Sequence, residues 1–200
     1  MSNRLAMVAA AALAVTGVPS AAQQFSNSFT FLKAVKERDG NKVTDLTANP
    51  GSSIVVNSKE LSTGNSALHI VATGRDLTWL SFLMARGARV DQQNLKGETP
   101  LAIAAQLGWF EGAELLLSRQ ASVDLPNSRG ETPLILAVQR RDVPMVRLLL
   151  ARGANPKRTD SVAGYSALDY AKQDRRAAAV LKLLEAPAPK PAKEAAGPKL

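Results

Sequence analysis

Apolar positions in this chain come in paired runs. In one pair, Leu101, Ala104 and Ala105 are followed by Leu115, Leu116 and Leu117. Spacings of three and four residues place side chains on one face of a helix, not on alternate faces of a strand. The pair returns as Leu134, Ala137 and Val138, then Leu148, Leu149 and Leu150. An earlier copy has Leu68, Val71 and Ala72, then Leu80, Leu83 and Met84. A last copy has Leu168, Tyr170 and Ala171, then Val180, Leu183 and Leu184. Each pair predicts two helices that bury one side each.

The polar residues between the pairs recur as well. Gly97-Glu98-Thr99-Pro100-Leu101 reappears unchanged at Gly130-Glu131-Thr132-Pro133-Leu134, 33 residues on. Looser copies start at Gly64 and Gly164. The threonine is placed to cap a helix with its hydroxyl, and proline suits the first helical position because its missing N–H has no partner there. Ser66 and Ser166 can cap in the same way. Ala104 and Ala105 are small where the two helices approach, and Gly108 suits the left-handed end of the first helix. Of the five residues, only the glutamate is expected to have no structural duty. A fixed period of this length signals a stack of repeats.

Several offsets recur together over residues 64–185, and the phrases resemble the ankyrin repeat: a turn, Thr-Pro-Leu, two helices, then Gly-Ala and Asp or Asn. The resemblance implies an all-α ankyrin-repeat solenoid of paired antiparallel helices with short β-hairpin-like fingers, about four to five units long. The repeat domain would span 27–185, with an irregular N-terminal unit at 27–60, units at 61–93, 94–126 and 127–160, and a C-terminal cap at 161–185. In the first unit Phe29, Leu32, Ala34 and Val35 fall at helical spacing, Phe29, Phe31 and Leu32 are expected to belong to a capping helix, and Val43 and Leu46 suit a second short helix. Asn49-Pro50-Gly51-Ser52 reads as a turn, and Ile54-Val55-Val56 as a β-prone run where a finger would lie. Asn155 to Asp160 reads as one residue longer than its counterparts, so that finger is expected to bulge.

The two ends have a different composition. Residues 1–22 have the layout of a signal peptide: Arg4, an uncharged apolar run from Leu5 to Val18, then small residues before a cut after Ala22. The run is short for a membrane span. Residues 186–200 are a Pro/Ala/Lys tail, expected to be disordered. The mature chain is therefore expected outside the cytoplasm, periplasmic or extracellular, with no transmembrane segment. There is no cysteine, so no disulfide can form. Net charge is +8, and residues 23–185 carry 21 basic and 16 acidic side chains, well mixed. That mixture, with few aromatics, excludes the dense basic stripe of a nucleic-acid binder.

Nothing in the chain spells out catalysis. There is no Gly-rich phosphate loop, no nucleophile elbow and no metalloprotease motif. His69 is the only histidine, so a zinc site lacks a ligand set, and the resemblance implies that its ring bonds to neighbouring loop backbone. No catalytic residue, metal or cofactor is expected. The expected role is a monomeric module that binds a protein partner through finger tips and the concave helix face. The candidate contacts are Leu95, Lys96, Glu98, Gln106, Trp109, Arg129, Glu131, Arg140 and Tyr165. Trp109 is open between partner anchor and packing on its neighbour's turn, whereas Trp79 reads as packing. Arg140, Arg141, Arg147 and Arg152 read as a solvated basic face. The alternative role is an accessory or immunity protein that stabilises or covers a periplasmic enzyme or toxin. Exported bacterial ankyrin proteins that support peroxide-detoxifying enzymes are similar in layout.

Overall fold

The computed structural model describes residues 21–48 and 52–186, with side chains from residue 26 onward. Residues 1–20 of the expected leader, residues 49–51 of the expected turn and the expected tail from residue 187 lie outside the described residues. Ala21 and Ala22, the last residues of the expected leader, open the first helix.

Apolar spacing of three and four turns each paired run into a helical hairpin. Helices α4 (Ala67–Thr73) and α5 (Leu77–Ala85) form the first regular pair. α6 (Pro100–Leu107) and α7 (Phe110–Ser118), α8 (Pro133–Gln139) and α9 (Val143–Ala151), and α10 (Ala167–Gln173) and α11 (Ala178–Glu185) follow. The first members, α4, α6, α8 and α10, stack side by side as one layer, and the second members, α5, α7, α9 and α11, form the other. The core lies between the layers, where Leu101, Ala104, Leu134, Ala137, Leu116 and Leu149 are fully buried. This is the expected all-α solenoid.

Capping defines where the helices start. Thr99 and Thr132 accept the N–H groups of Ala102 and Ile135, and a proline follows each. The second helices use Asp76 and Asp142, whose carboxylates accept the N–H groups of Trp79 and Met145. Such a cap is worth about 1 kcal/mol. Gly108 ends α6 in the left-handed conformation, at φ 67°.

At the N-terminal end α1 (Ala21–Glu37) packs on α4, with α2 (Gly40–Thr47) and α3 (Ser53–Val56) beside it. Phe29 is 73% exposed, whereas Phe31 is fully buried. Residues two apart on a helix stand about 200° apart around it, so a face that buries Phe31 and Val35 turns Phe29 outward. Ile54-Val55-Val56 is helical, not extended. Its β propensity yields to packing, because one helical turn puts Val55 and Val56 into the core and leaves Ile54 outside.

The fingers are not formed as strands among the described residues. Isolated bridges pair Lys59 with Ser66 and Thr159 with Ser166. The extra residue of the last finger also sits elsewhere than expected. It falls in the tip, between Asp160 and Tyr165, where the Asp160 N–H donates to the Tyr165 carbonyl; in the shorter tips Asn94 and Asn127 donate to Glu98 and Glu131.

Trp109 occupies the position that Asp76 and Asp142 hold in the neighbouring units, so α7 has no side-chain cap. Its indole instead lies on the first turn of α7 and is only 6% exposed. Gly112 makes the room, since a Cβ there would stand 2.1 Å from the ring. Trp109 is therefore packed, against the first turn of its own helix where packing on its neighbour's turn was one expectation, and its burial leaves no exposed anchor. Trp79 is half-buried, edge-on to Phe82 with ring centroids 5.2 Å apart, and the Arg38 guanidinium lies over it. Overpacking typically costs about 1–3 kcal/mol. Gly112→Ala is expected to destabilise by that amount and shift indole fluorescence to the red. A urea midpoint equal to wild type would show that the ring has other room.

Candidate protein-binding face

The last three finger tips are each built around one amide or carboxylate side chain. The Asn94 Oδ1 accepts the N–H groups of Lys96 and Glu98 at 2.9 and 3.0 Å, while its Nδ2 donates to the Glu98 carboxylate at 2.9 Å. Asn127 repeats this with Arg129 and Glu131. In the longer tip Asp160 replaces the asparagine, and its Oδ1 accepts the N–H groups of Val162, Ala163 and Gly164. Burial acts to raise the Asp160 pKa. The Tyr170 hydroxyl, which donates to Oδ2, and the three N–H groups outweigh it and leave the carboxyl below its ordinary value. The same bond raises the Tyr170 pKa.

Neighbouring tips are joined through backbone. The N–H of Leu95 donates to the Thr63 carbonyl, that of Ser128 to Lys96, and that of Ser161 to Arg129, at 3.0, 2.9 and 2.8 Å. This approach leaves no space for a side chain at the tip glycine. A Cβ on Gly97 would stand 2.6 Å from the Ser128 nitrogen, and Gly97 also has φ 71°. Behind the tips, Asp91 and Asp124 accept the N–H groups of Ser122 and Asn155 in the next unit.

The nine sequence-derived contact residues divide on this frame. Leu95, Lys96, Gln106, Arg129, Arg140 and Tyr165 are exposed. Lys96, Glu98 and Gln106 meet at an open groove of about 290 Å³ between the fingers and the first helices, floored by Ile103 and Leu107. Glu131 is corrected: it is 5% exposed, accepts from Asn127 Nδ2 and Gln139 Nε2, and lies 3.6 Å from Arg129. Glu98 is half-buried and similarly bound to Asn94, so the glutamate of the repeated phrase does have a structural duty. Trp109 lies in the core.

The inter-helix turns carry a feature that the sequence reading missed. Arg38, Arg75 and Arg141 stand at positive φ, at the position that Gly108 occupies in its own unit. Each reaches forward to the next turn. Arg38 and Arg141 pair with Asp76 and Asp174; the Arg176 N–H, seconded by the Arg141 pair, holds the Asp174 carboxyl below its ordinary value against the effect of burial. Arg75 donates to the Leu107 carbonyl at 2.6 Å, since Trp109 leaves no carboxylate there. The arginine-to-aspartate spacing of about one repeat was the available signal. Arg141 thus links units and does not belong to a merely solvated face.

Two family models match this chain. One, described as ankyrin repeats (3 copies), covers residues 31–127, and the other, ankyrin repeats (many copies), covers 115–171. This is an ankyrin-repeat protein. The ankyrin frame also accounts for His69. The Ser66 N–H donates to His69 Nδ1 at 3.1 Å, so the neutral ring carries its proton on Nε2, which donates to the Glu98 carbonyl at 2.8 Å. The histidine therefore ties one ankyrin unit to the finger of the next. In the last unit Asp169 has the corresponding place and accepts from the N–H and hydroxyl of Ser166.

Burial holds the His69 pKa below the ordinary 6.5, and Lys59 adds to this; the Glu98 carbonyl and charge act in the opposite direction. The unfolded chain takes up a proton near pH 6.5, and the folded chain does so only at lower pH. Stability is therefore expected to fall on acidification below about 6.5, by at most about 1.4 kcal/mol per pH unit from this residue. His69→Gln is expected to remove that slope in urea titrations between about pH 6.5 and 5. An identical slope in the variant would show that His69 is not the titrating group.

Proposed function

We propose that this chain is an exported, monomeric, non-catalytic module that captures a protein partner across its finger tips and concave groove. Ankyrin repeats are protein-protein interaction modules. The observation that carries the reading is the division of labour on the concave side. Backbone, Asn94, Asn127 and the two glutamates are bonded to each other, while Leu95, Lys96, Gln106 and Arg129 project from that rigid frame. A surface held in place before binding loses little entropy on association. Export is supported by the residue pattern of positions 1–22. Among the described residues no helix is long and apolar enough to cross a membrane.

Affinity capture from cell-envelope extract tests the proposal. The triple variant Lys96→Glu, Arg129→Glu, Arg140→Glu is expected to retain wild-type circular dichroism and to lose about tenfold in recovered partner, since a few contacts carry most of an interface. Recovery equal to wild type would place the binding site elsewhere on the molecule. The identity of the retained protein also separates a general scaffold from an accessory role beside one enzyme or toxin.

A further inference from the structure

Charge is distributed unevenly along the stack. Residues 23–138 carry 11 basic and 11 acidic side chains, whereas residues 139–185 carry 10 and 5. The excess of the repeat domain therefore lies wholly in its C-terminal part. Four of the five acids there are engaged within the chain. Asp142 caps α9, Asp160 holds the tip, Asp169 bonds Ser166, and Asp174 pairs with Arg141. The cations include Lys157 and Arg158 on the last finger, both exposed and in no ion pair among the described residues.

The last finger differs from the two before it where it matters for recognition. Position 157 corresponds to Asp91 and Asp124, which bond backbone of the next unit. No further finger follows among the described residues, and lysine stands there. The tip carries Val162 where its counterparts carry Lys96 and Arg129, and Tyr165 where they carry glutamate. Val162 is 68% and Tyr165 40% exposed. Tyr165 is supported by Tyr170 at 89° and 5.6 Å between centroids, and the backbone is tied to Arg129 by the Ser161 N–H. The finger thus offers two cations, an aliphatic tip and a fixed aromatic ring, while its own carboxylate is buried and bonded.

We infer that the finger 155–165 docks an acidic segment of the partner protein that bears aliphatic or aromatic side chains. This rests on the interaction-module reading and names the chemistry of the partner. The cationic C-terminal part steers the acidic segment, because a concentrated field of one sign raises encounter rates with its opposite. Val162 and Tyr165 then take its apolar side chains.

The probe is a labelled peptide of Glu, Asp, Leu and Tyr, titrated with the full chain by fluorescence anisotropy. Binding is expected to weaken about tenfold between about 50 and 300 mM NaCl. Lys157→Glu with Arg158→Glu is expected to cost about tenfold, and Val162→Ser with Tyr165→Ser several-fold. Lys42→Glu with Arg119→Glu changes net charge equally at exposed sites of the neutral part and is expected to leave binding near wild type. An equal loss in that control would reduce the effect to overall charge and overturn the inference. So would equal affinity for a peptide with Lys in place of its acids, or binding insensitive to salt. Tighter retention on vesicles with about 30% phosphatidylglycerol than on the peptide would replace the protein segment by a membrane surface. A partner captured from envelope extract equally by wild type and the Lys157/Arg158 variant would sink this inference alone. Capture of no partner by wild type would instead remove the module reading.

Discussion

Everything on the binding side depends on one close approach, in which the backbone of each finger tip passes directly against the next. The N–H groups of Leu95, Ser128 and Ser161 reach carbonyls in the preceding tip, and a Cβ on the intervening glycine would collide with the nitrogen. Gly64, Gly97 and Gly130 are therefore required twice, for a left-handed turn and for contact distance. With the tips in that register, Asn94 and Asn127 can collect the loop N–H groups, and the bonded glutamates turn inward. The exposed side chains are what this bonding leaves over.

Three further links run in the same direction along the stack. His69 donates to the Glu98 carbonyl, Asp91 and Asp124 accept from the units that follow, and Arg38, Arg75 and Arg141 reach the next turn. Each joins nearest neighbours only, as expected of a quasi-one-dimensional fold. Such links tie edges, and the alternating apolar faces supply the bulk of cohesion between the layers. The last finger lacks a successor among the described residues, and its composition changes at the positions whose counterparts bond forward.

Much of the fold was legible because period and capping are local. Thr99, Pro100, Leu101 and Gly108 each do what their chemistry requires within a few residues of themselves. The candidate site was less legible. Lys96, Arg129 and Arg140 are exposed as read, but Glu131 looked identical to a surface residue until Asn127 and Gln139 were seen around it. Trp109 went either way on paper, although Gly112 one turn later is the small residue that a packed ring needs. The facing of Phe29 and the helical form of the Ile54 run were not legible for a related reason. The phase of a short helix is chosen by the neighbour it packs on, and α1 and α3 have no repeat copy from which to read it.

The sequence by itself determined the repeat, its length, the helix pairs and their caps, because these follow from spacing and from side chains acting on adjacent backbone. Only the tertiary structure decided which polar side chains are spent on joining units and which remain for a partner. That distinction depends on atoms about one repeat apart in the chain: Arg38 with Asp76, His69 with Glu98, Gly97 against Ser128. A side chain's type states what bonds it can make. Its availability depends on whether stacking has already supplied them.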